Sequence, residues 1–102
     1  MFATVDKRKF NLPVDYDNLK HSEKWAVREE YRRIQKDACW YCNKSLYANP
    51  SKKVQKQHIF KKLFPKGFFD HPIHLHHSHD TGLTIGAVHA KCNAYLWQVE
   101  GK

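Results

Sequence analysis

The chain has 102 residues, which is enough for one domain with a modest hydrophobic core. Its 18 Lys and Arg residues exceed its 10 Asp and Glu residues, giving a net charge of +8 at pH 7. No stretch approaches the roughly 20 apolar residues of a membrane span, so no membrane-spanning helix is expected. The basic charge favours a polyanionic partner, with nucleic acid first and an anionic membrane surface second; general solubility of a basic domain is the alternative.

The N-terminal segment is polar and contains Pro13, which favours a loop or arm over residues 1–21. The remaining residues, 22–102, are predicted to form the domain. Residues 1–9 lack the apolar centre of a signal peptide, so nothing directs export. We therefore expect a cytoplasmic protein of a bacterial host cell, encoded by the bacterium or by a phage.

A helix is predicted to begin at Ser22, which can act as its N-cap, with Glu23 near the positive end of the helix dipole. Its apolar stripe has the spacing i, i+4, i+7 and i+11 and consists of Val27, Tyr31, Ile34 and Ala38. This helix is expected to carry the chain to Cys39. The arginines on its other faces indicate a solvated surface first and a phosphate contact second.

Residues 43–72 have the least regular pattern, with turn signals at Asn43 and around Pro50. Within them, residues 52–69 carry six lysines among apolar and aromatic residues. Such a segment suits a surface that places cations on phosphates and rings on sugars or bases. An amphipathic segment with a lysine-rich outer face explains the same pattern, and both interpretations remain open.

The C-terminal third alternates between apolar and polar residues from Ile73, which predicts a β-strand. Residues 83–88 are expected to form its hairpin partner. Residues 89–99 are then predicted to be a helix that ends near Gly101. The order strand, loop, strand, helix behind an N-terminal helix predicts a small α+β domain.

The three cysteines form part of a predicted zinc site. Cys39 and Cys42 have the Cys-x2-Cys spacing of a zinc knuckle, and His89 and Cys92 repeat it as His-x2-Cys. An odd cysteine count cannot complete a disulfide framework within one chain. The sequence therefore predicts a closed Cys3His site for structural Zn²⁺ that joins both ends of the domain; free buried cysteines are the alternative.

Four histidines occupy six positions between His74 and His79, too many for packing alone. Hydrolysis of a phosphodiester needs a base, a Lewis acid and cationic positioning of the backbone. Histidine can supply the base near neutral pH. His76 and Asn93 offer one nitrogen and one oxygen to a divalent ion. Because neighbours on a regular strand face opposite ways, a site that uses both His76 and His77 requires a twisted or bulged strand end.

The segment His74–His79, the Gly-containing loop after it and the final run His89-x-x-Cys92-Asn93 together resemble the HNH (ββα-metal) nuclease motif. The likeness is strongest to the phage recombination endonuclease VII-like group. It implies a metal-dependent DNA endonuclease with His76 and Asn93 as ligands of the catalytic ion and His77 as general base. By the same resemblance, His79 orients the phosphate or shares in proton transfer.

Two residues depart from that family's pattern. His76 stands where the family has Asp, which makes the site less negative and leaves Mg²⁺, Mn²⁺, Ni²⁺ or Zn²⁺ open as the catalytic ion. His89 replaces a cysteine but still suits zinc. Position 97 is Trp97, so the third helical histidine of other HNH branches is missing.

Several alternatives remain open. The chain could be a non-catalytic Cys3His module that grips nucleic acid without cutting it. His89 and Asn93, at i and i+4 on one helix face, could instead share the catalytic ion. His74 is expected to be a polar strand residue or a partner of a ligand, and His58, His71 and His21 are expected to face solvent. Endonuclease VII-like enzymes are dimers, but no dimer stripe is visible, so a homodimer is left open.

Overall fold

The computed structural model describes residues 11–101, which form three α-helices and one two-stranded antiparallel sheet. In chain order these elements are α1 (His21–Ile34), α2 (Lys52–Lys56), β1 (Ile73–His77), β2 (Thr84–His89) and α3 (Ala90–Glu100). Two short 3₁₀ turns occur at Tyr16–Asn18 and Lys61–Leu63. The small α+β architecture is therefore confirmed. Residues 1–10 of the predicted N-terminal arm lie outside the described residues.

The predicted hairpin is present, and it has the irregularity that the histidine pair requires. The register runs from Ile73 opposite His89 to His77 opposite Thr84, and it shifts between His76 and His77. Such a β-bulge re-aims the side chains on either side of it. His76 and His77 therefore need not point to opposite faces of the sheet.

Helix α1 differs from the sequence-based expectation at both ends. It begins one residue before Ser22, with Lys20 as the N-cap, and the Lys20 amide donates to the Glu23 carboxylate at 2.8 Å. It ends at Ile34, so the prediction that it carries the chain to Cys39 was wrong. Lys36 and Asp37 have φ angles of 55° and 60°, left-handed values that stop an α-helix.

The side chain of Gln35, the residue after α1, connects the end of this helix to β2. Its side-chain amide donates to the carbonyl of Ala87 at 2.9 Å and accepts from the Ala87 amide at 2.9 Å, so it binds β2 as another strand would. The neighbouring Gly86 keeps this contact close. A Cβ at Gly86 would lie 2.8 Å from Gln35 Oε1 and 3.0 Å from the Trp40 side chain.

Helices α1 and α3 both contact the hairpin, and the core lies among these elements. The fully buried residues with no exposed surface are Val27, Cys39, Val54, Ala87, Val88, Cys92 and Ala94. Helix α3 is capped at its end by Gly101, whose φ of 70° is the left-handed conformation that glycine adopts readily. None of the helices within residues 11–101 has the length and apolar character needed to cross a bilayer.

The described part of the predicted arm packs on the domain. The amide of Val14 donates to Thr84 Oγ1 at 3.0 Å, and the amide of Thr84 donates back to the Val14 carbonyl at 2.9 Å. The Tyr16 amide donates to the Gly82 carbonyl at 2.8 Å. These bonds place Tyr16 at the end of the hairpin, beside the histidines of β1.

Candidate functional site

Cys39, Cys42, His89 and Cys92 converge as their spacing predicts. One ligand atom from each lies within 4.8 Å of the others. The Nδ1 atom of His89 is 3.5 Å from the sulfurs of both Cys42 and Cys92. Tetrahedral zinc, with bonds of about 2.3 Å to sulfur and about 2.0–2.1 Å to nitrogen, holds neighbouring N and S atoms about 3.5 Å apart. The group could hold a metal ion, and its donor set and spacing suit zinc.

Backbone carbonyls fix the orientation of the His89 ring. Its Nε2 atom lies 2.8 Å from the Ser45 carbonyl and 2.9 Å from the Ala48 carbonyl, so Nε2–H donates to both oxygens. The lone pair of the neutral ring is then on Nδ1, which faces the cysteines. This is the usual way in which a protein orients a metal-binding histidine. His89 therefore belongs to the cysteine group, which removes the basis for sharing an ion with Asn93.

The site also favours a thiolate. A hydrogen bond with the Cys92 thiol, supported by the backbone at Cys42, His89 and Tyr41, lowers the pKa of Cys39 to about 4. The same contact with Cys39, followed by burial, raises the pKa of Cys92. One of the two buried sulfurs is thus ready to bind a cation, while the other keeps its proton until a cation displaces it.

Asn93, the residue after Cys92, joins two histidines of β1. The Nδ1 atom of His76 lies 3.1 Å from Asn93 Oδ1, which accepts a hydrogen bond. Asn93 Nδ2 in turn donates to Nδ1 of His74 at 3.1 Å. Burial lowers the pKa of both imidazoles, so both are neutral near pH 7. His74 therefore acts as a partner that orients Asn93, the second of the two roles expected for it.

His77 lies against an aromatic ring that the sequence did not identify. The ring of Tyr16 stacks on its imidazole, with centroids 3.8 Å apart and planes inclined by 7°. Burial first, and then electrostatic repulsion between neighbouring imidazoles, lowers the pKa of His77 below the ordinary value of 6.5. The imidazole is therefore neutral at pH 7 and able to accept a proton.

His79 is exposed and is held by Trp97. The Trp97 indole donates to His79 Nε2, and the two rings meet edge to face with centroids 4.8 Å apart. His79 also lies 4.8 Å from the His77 ring. Trp97, on α3, therefore holds the histidine that follows β1.

One cleft unites these residues. His74, His76, His77, His79 and Asn93 all line it. Elsewhere in residues 11–101 no three His, Cys, Asp or Glu side chains converge as the Cys3His group does, so His76 and Asn93 form a two-residue pair. His58, His71 and His21 are exposed as expected, but His71 and His21 both line the cleft.

Two residues that line the cleft, Tyr16 and Trp25, were not predicted from the sequence. Tyr16 had no signal in its neighbourhood, whereas Trp25 and Arg28 lie three residues apart on one helix and could have been paired on that ground. No known protein family, curated protein or solved structure matches the chain. Function must therefore be inferred from the chemistry of the two neighbouring sites.

Proposed function

We propose that the protein is a metal-dependent DNA endonuclease of the HNH type, which hydrolyses phosphodiester bonds. His76 and Asn93 hold a divalent ion, and His77 is the general base. The Cys3His group holds a structural Zn²⁺. The observation that carries the proposal is the 3.1 Å separation between His76 Nδ1 and Asn93 Oδ1, next to His77 in one cleft.

That separation fits two neighbouring ligands of a single ion. Bonds of about 2.0–2.1 Å at a right angle place two donor atoms about 3 Å apart. His76 would present Nδ1 as a lone pair in its other tautomer, and Asn93 already presents its oxygen. Only two protein ligands leave the other positions to water and phosphate, as a catalytic site requires.

The zinc group explains how Asn93 is placed. Asn93 directly follows Cys92, whose side chain is fully buried among the other zinc ligands. His74 then fixes the carboxamide so that its oxygen, rather than its nitrogen, faces His76. A structural ion beside the pair therefore sets the backbone position of one catalytic ligand, and His74 sets its rotation.

The histidines divide the chemistry between them. A divalent ion bound at His76 and Asn93 would polarise the scissile phosphate and stabilise the charge that develops on it. Neutral His77 accepts a proton from the attacking water. His79, held by the Trp97 indole, is close enough to His77 to orient the phosphate or receive that proton in turn.

Positive side chains support DNA as the substrate. The six lysines of residues 52–69 are all exposed, in keeping with a surface that contacts phosphates. They are Lys52, Lys53, Lys56, Lys61, Lys62 and Lys66. Leu63, Phe64 and Phe68 of the same segment line the cleft, so its cations lie next to the proposed catalytic residues along the chain. Phosphate contacts of this kind give weak sequence preference.

The test is a plasmid-nicking assay with Mg²⁺ or Mn²⁺ that compares the parent with His77→Ala. Loss of a general base should reduce the rate by about 10²–10⁴-fold. His58→Ala is the matched control, because His58 is exposed and does not line the cleft. If the parent nicks DNA with none of several divalent ions, the enzyme proposal fails. If His77→Ala nicks as fast as the parent, the base is another group.

The exposed lysines also support a second candidate function, a non-catalytic Cys3His zinc module that binds nucleic acid. It predicts salt-dependent DNA binding that survives His77→Ala, together with no nicking under any metal. The hydrogen-bonded group of His74, Asn93 and His76 favours the nuclease, because a binding module has no use for it.

A further inference from the structure

The cleft extends well beyond the groups that phosphate hydrolysis needs. Its volume is about 660 Å³, within the usual range for a small-molecule site. Besides the histidines, it is lined by α1, through Lys24, Trp25 and Arg28, and by residues that precede β1, including Phe64 and Phe68. An ion and one phosphate leave this aromatic part of the cleft unexplained.

Phe68 lies directly beside the proposed catalytic pair. Its ring meets His74 edge to face with centroids 4.6 Å apart, and His74 accepts the hydrogen bond from Asn93. Phe64 extends the aromatic surface, and its ring centroid lies 4.8 Å from that of Phe68. The side chain of His74 alone therefore separates the aromatic lining from Asn93. A base that contacts Phe68 would belong to the nucleotide next to a phosphate bound at His76 and Asn93.

Helix α1 contributes a further ring and two cations. The Arg28 guanidinium lies 3.9 Å from the Trp25 ring centroid and donates to the Ile73 carbonyl at 3.1 Å, which fixes it against the strand. It also pairs with the Glu29 carboxylate at 3.0 Å, so Lys24 is the cation that remains available to a phosphate. Trp25 remains 41% exposed. Lys24 lies 4.2 Å above the Tyr16 ring and forms no ion pair with any of residues 11–101. Flat rings bordered by cations suit a base and its phosphates.

We propose that this aromatic part of the cleft receives one unpaired nucleobase of the DNA strand, next to the phosphate that is cut. The inference rests on the proposed endonuclease function and defines its substrate class. A base inside a duplex has both faces covered by its neighbours and cannot enter a concave site, whereas an unpaired or extruded base can. The preferred substrate therefore has an unpaired nucleotide at the cleavage position.

The chemistry of the lining favours a base over an apolar peptide side chain. A peptide could cover Phe64, Phe68 and Trp25, but it would leave Lys24 without an anion. A nucleotide supplies both a planar ring and a phosphate. Stacking of bases on protein rings tolerates any sequence, so this site would accept any of the four bases.

The experiment measures DNA binding by the zinc-loaded full chain without added divalent ion. Three probes of identical sequence carry 2-aminopurine: a single strand, a duplex in which it is bulged, and a fully paired duplex. We expect the bulged duplex to bind about tenfold more tightly than the paired one, with fluorescence quenched by stacking. Trp25→Leu and Phe68→Leu should each lose about tenfold in affinity for the bulged probe, together with the quenching.

Tyr47→Leu is the matched control, since Tyr47 is 68% exposed and does not line the cleft. Circular dichroism shows whether each variant is folded, and leucine retains most of the apolar volume. The inference is overturned if the paired duplex binds as tightly as the bulged one. It is also overturned if folded Trp25→Leu and Phe68→Leu bind the bulged probe as well as Tyr47→Leu does.

Plasmid nicking in parallel separates this inference from the proposed function. Nicking by the parent together with unaltered binding by the cleft variants would overturn the base site and leave the nuclease standing. Selective binding of the bulged probe without nicking under any metal would support the base site and overturn the nuclease.

Discussion

The ring of Tyr16 lies face to face with the imidazole of His77, with 3.8 Å between centroids and 7° between planes. Tyr16 is in turn held by the hydrogen bond from its amide to Gly82 and covered by the ammonium group of Lys24. A residue outside every catalytic motif thus controls both the orientation and the solvent exposure of the proposed base.

Replacement of Tyr16 should show this control. Tyr16→Leu removes an aromatic pair worth about 0.5–1.5 kcal/mol, so nicking should fall about two- to tenfold while the protein stays folded. Tyr16→Phe keeps the ring and should behave like the parent. Greater exposure of His77 in Tyr16→Leu should also raise its pKa and move the acidic limb of the pH–rate profile to higher pH. Equal rates and equal profiles for both variants would show that the stacking has no role in catalysis.

The metal preference should follow the residue at position 76. An imidazole ligand suits Mn²⁺, Ni²⁺ or Zn²⁺ better than Mg²⁺, which prefers oxygen. The substitution His76→Asp adds a carboxylate, so the ratio of nicking rates in Mg²⁺ and Mn²⁺ should shift towards Mg²⁺. His76→Ala should be inactive with every ion. A ratio unchanged in His76→Asp would mean that residue 76 does not touch the ion.

Activity should persist into mildly acidic solution. Burial lowers the pKa of His77 below 6.5, and the protonated ring cannot accept a proton from water. The rate should therefore be constant above the ordinary histidine pKa and fall only as the pH drops through the lowered value. The pH dependence of kcat/KM reports this group in the free enzyme. An acidic limb centred above 6.5 would contradict the assignment of a buried imidazole as the base.

Loss of one zinc ligand should unfold the chain. Structural zinc contributes on the order of 10 kcal/mol in small domains, comparable with the whole stability of a chain of this size. Cys42→Ala should therefore be unfolded or aggregated, as measured by circular dichroism and by zinc content. Ser45→Ala is the control, because it removes an exposed hydroxyl and its one hydrogen bond from the Tyr47 amide, and it keeps the carbonyl that binds His89. A well-folded, zinc-free Cys42→Ala protein would contradict the assignment.

The sequence predicted the elements whose signals are local. The alternation from Ile73 gave β1, and Gly101 marked the end of α3. Cysteine and histidine spacing identified the whole Cys3His group, because few other side chains can hold zinc. The bulge between His76 and His77 was also expected, since adjacent strand residues could not otherwise serve one site.

The parts that could not be predicted depend on contacts between distant segments. Helix α1 ends at Ile34, before the left-handed residues Lys36 and Asp37, and the Gln35 side chain hydrogen-bonds to Ala87 on β2, 52 residues away in the chain. Tyr16 reaches His77 because the N-terminal segment pairs with the start of β2 and with Leu83 just before it. Neither contact leaves a periodic pattern, so only the three-dimensional structure could show them.

Because Val14 pairs with Thr84, the N-terminal segment positions the proposed base without contributing any metal ligand. A shortened chain that begins at residue 21 would keep every proposed zinc and catalytic ligand, together with the imidazole of His77 itself. It would lack the stacked ring and the three hydrogen bonds that tie the first segment to the hairpin. Such a chain would be fully metallated and yet cut DNA more slowly than the parent.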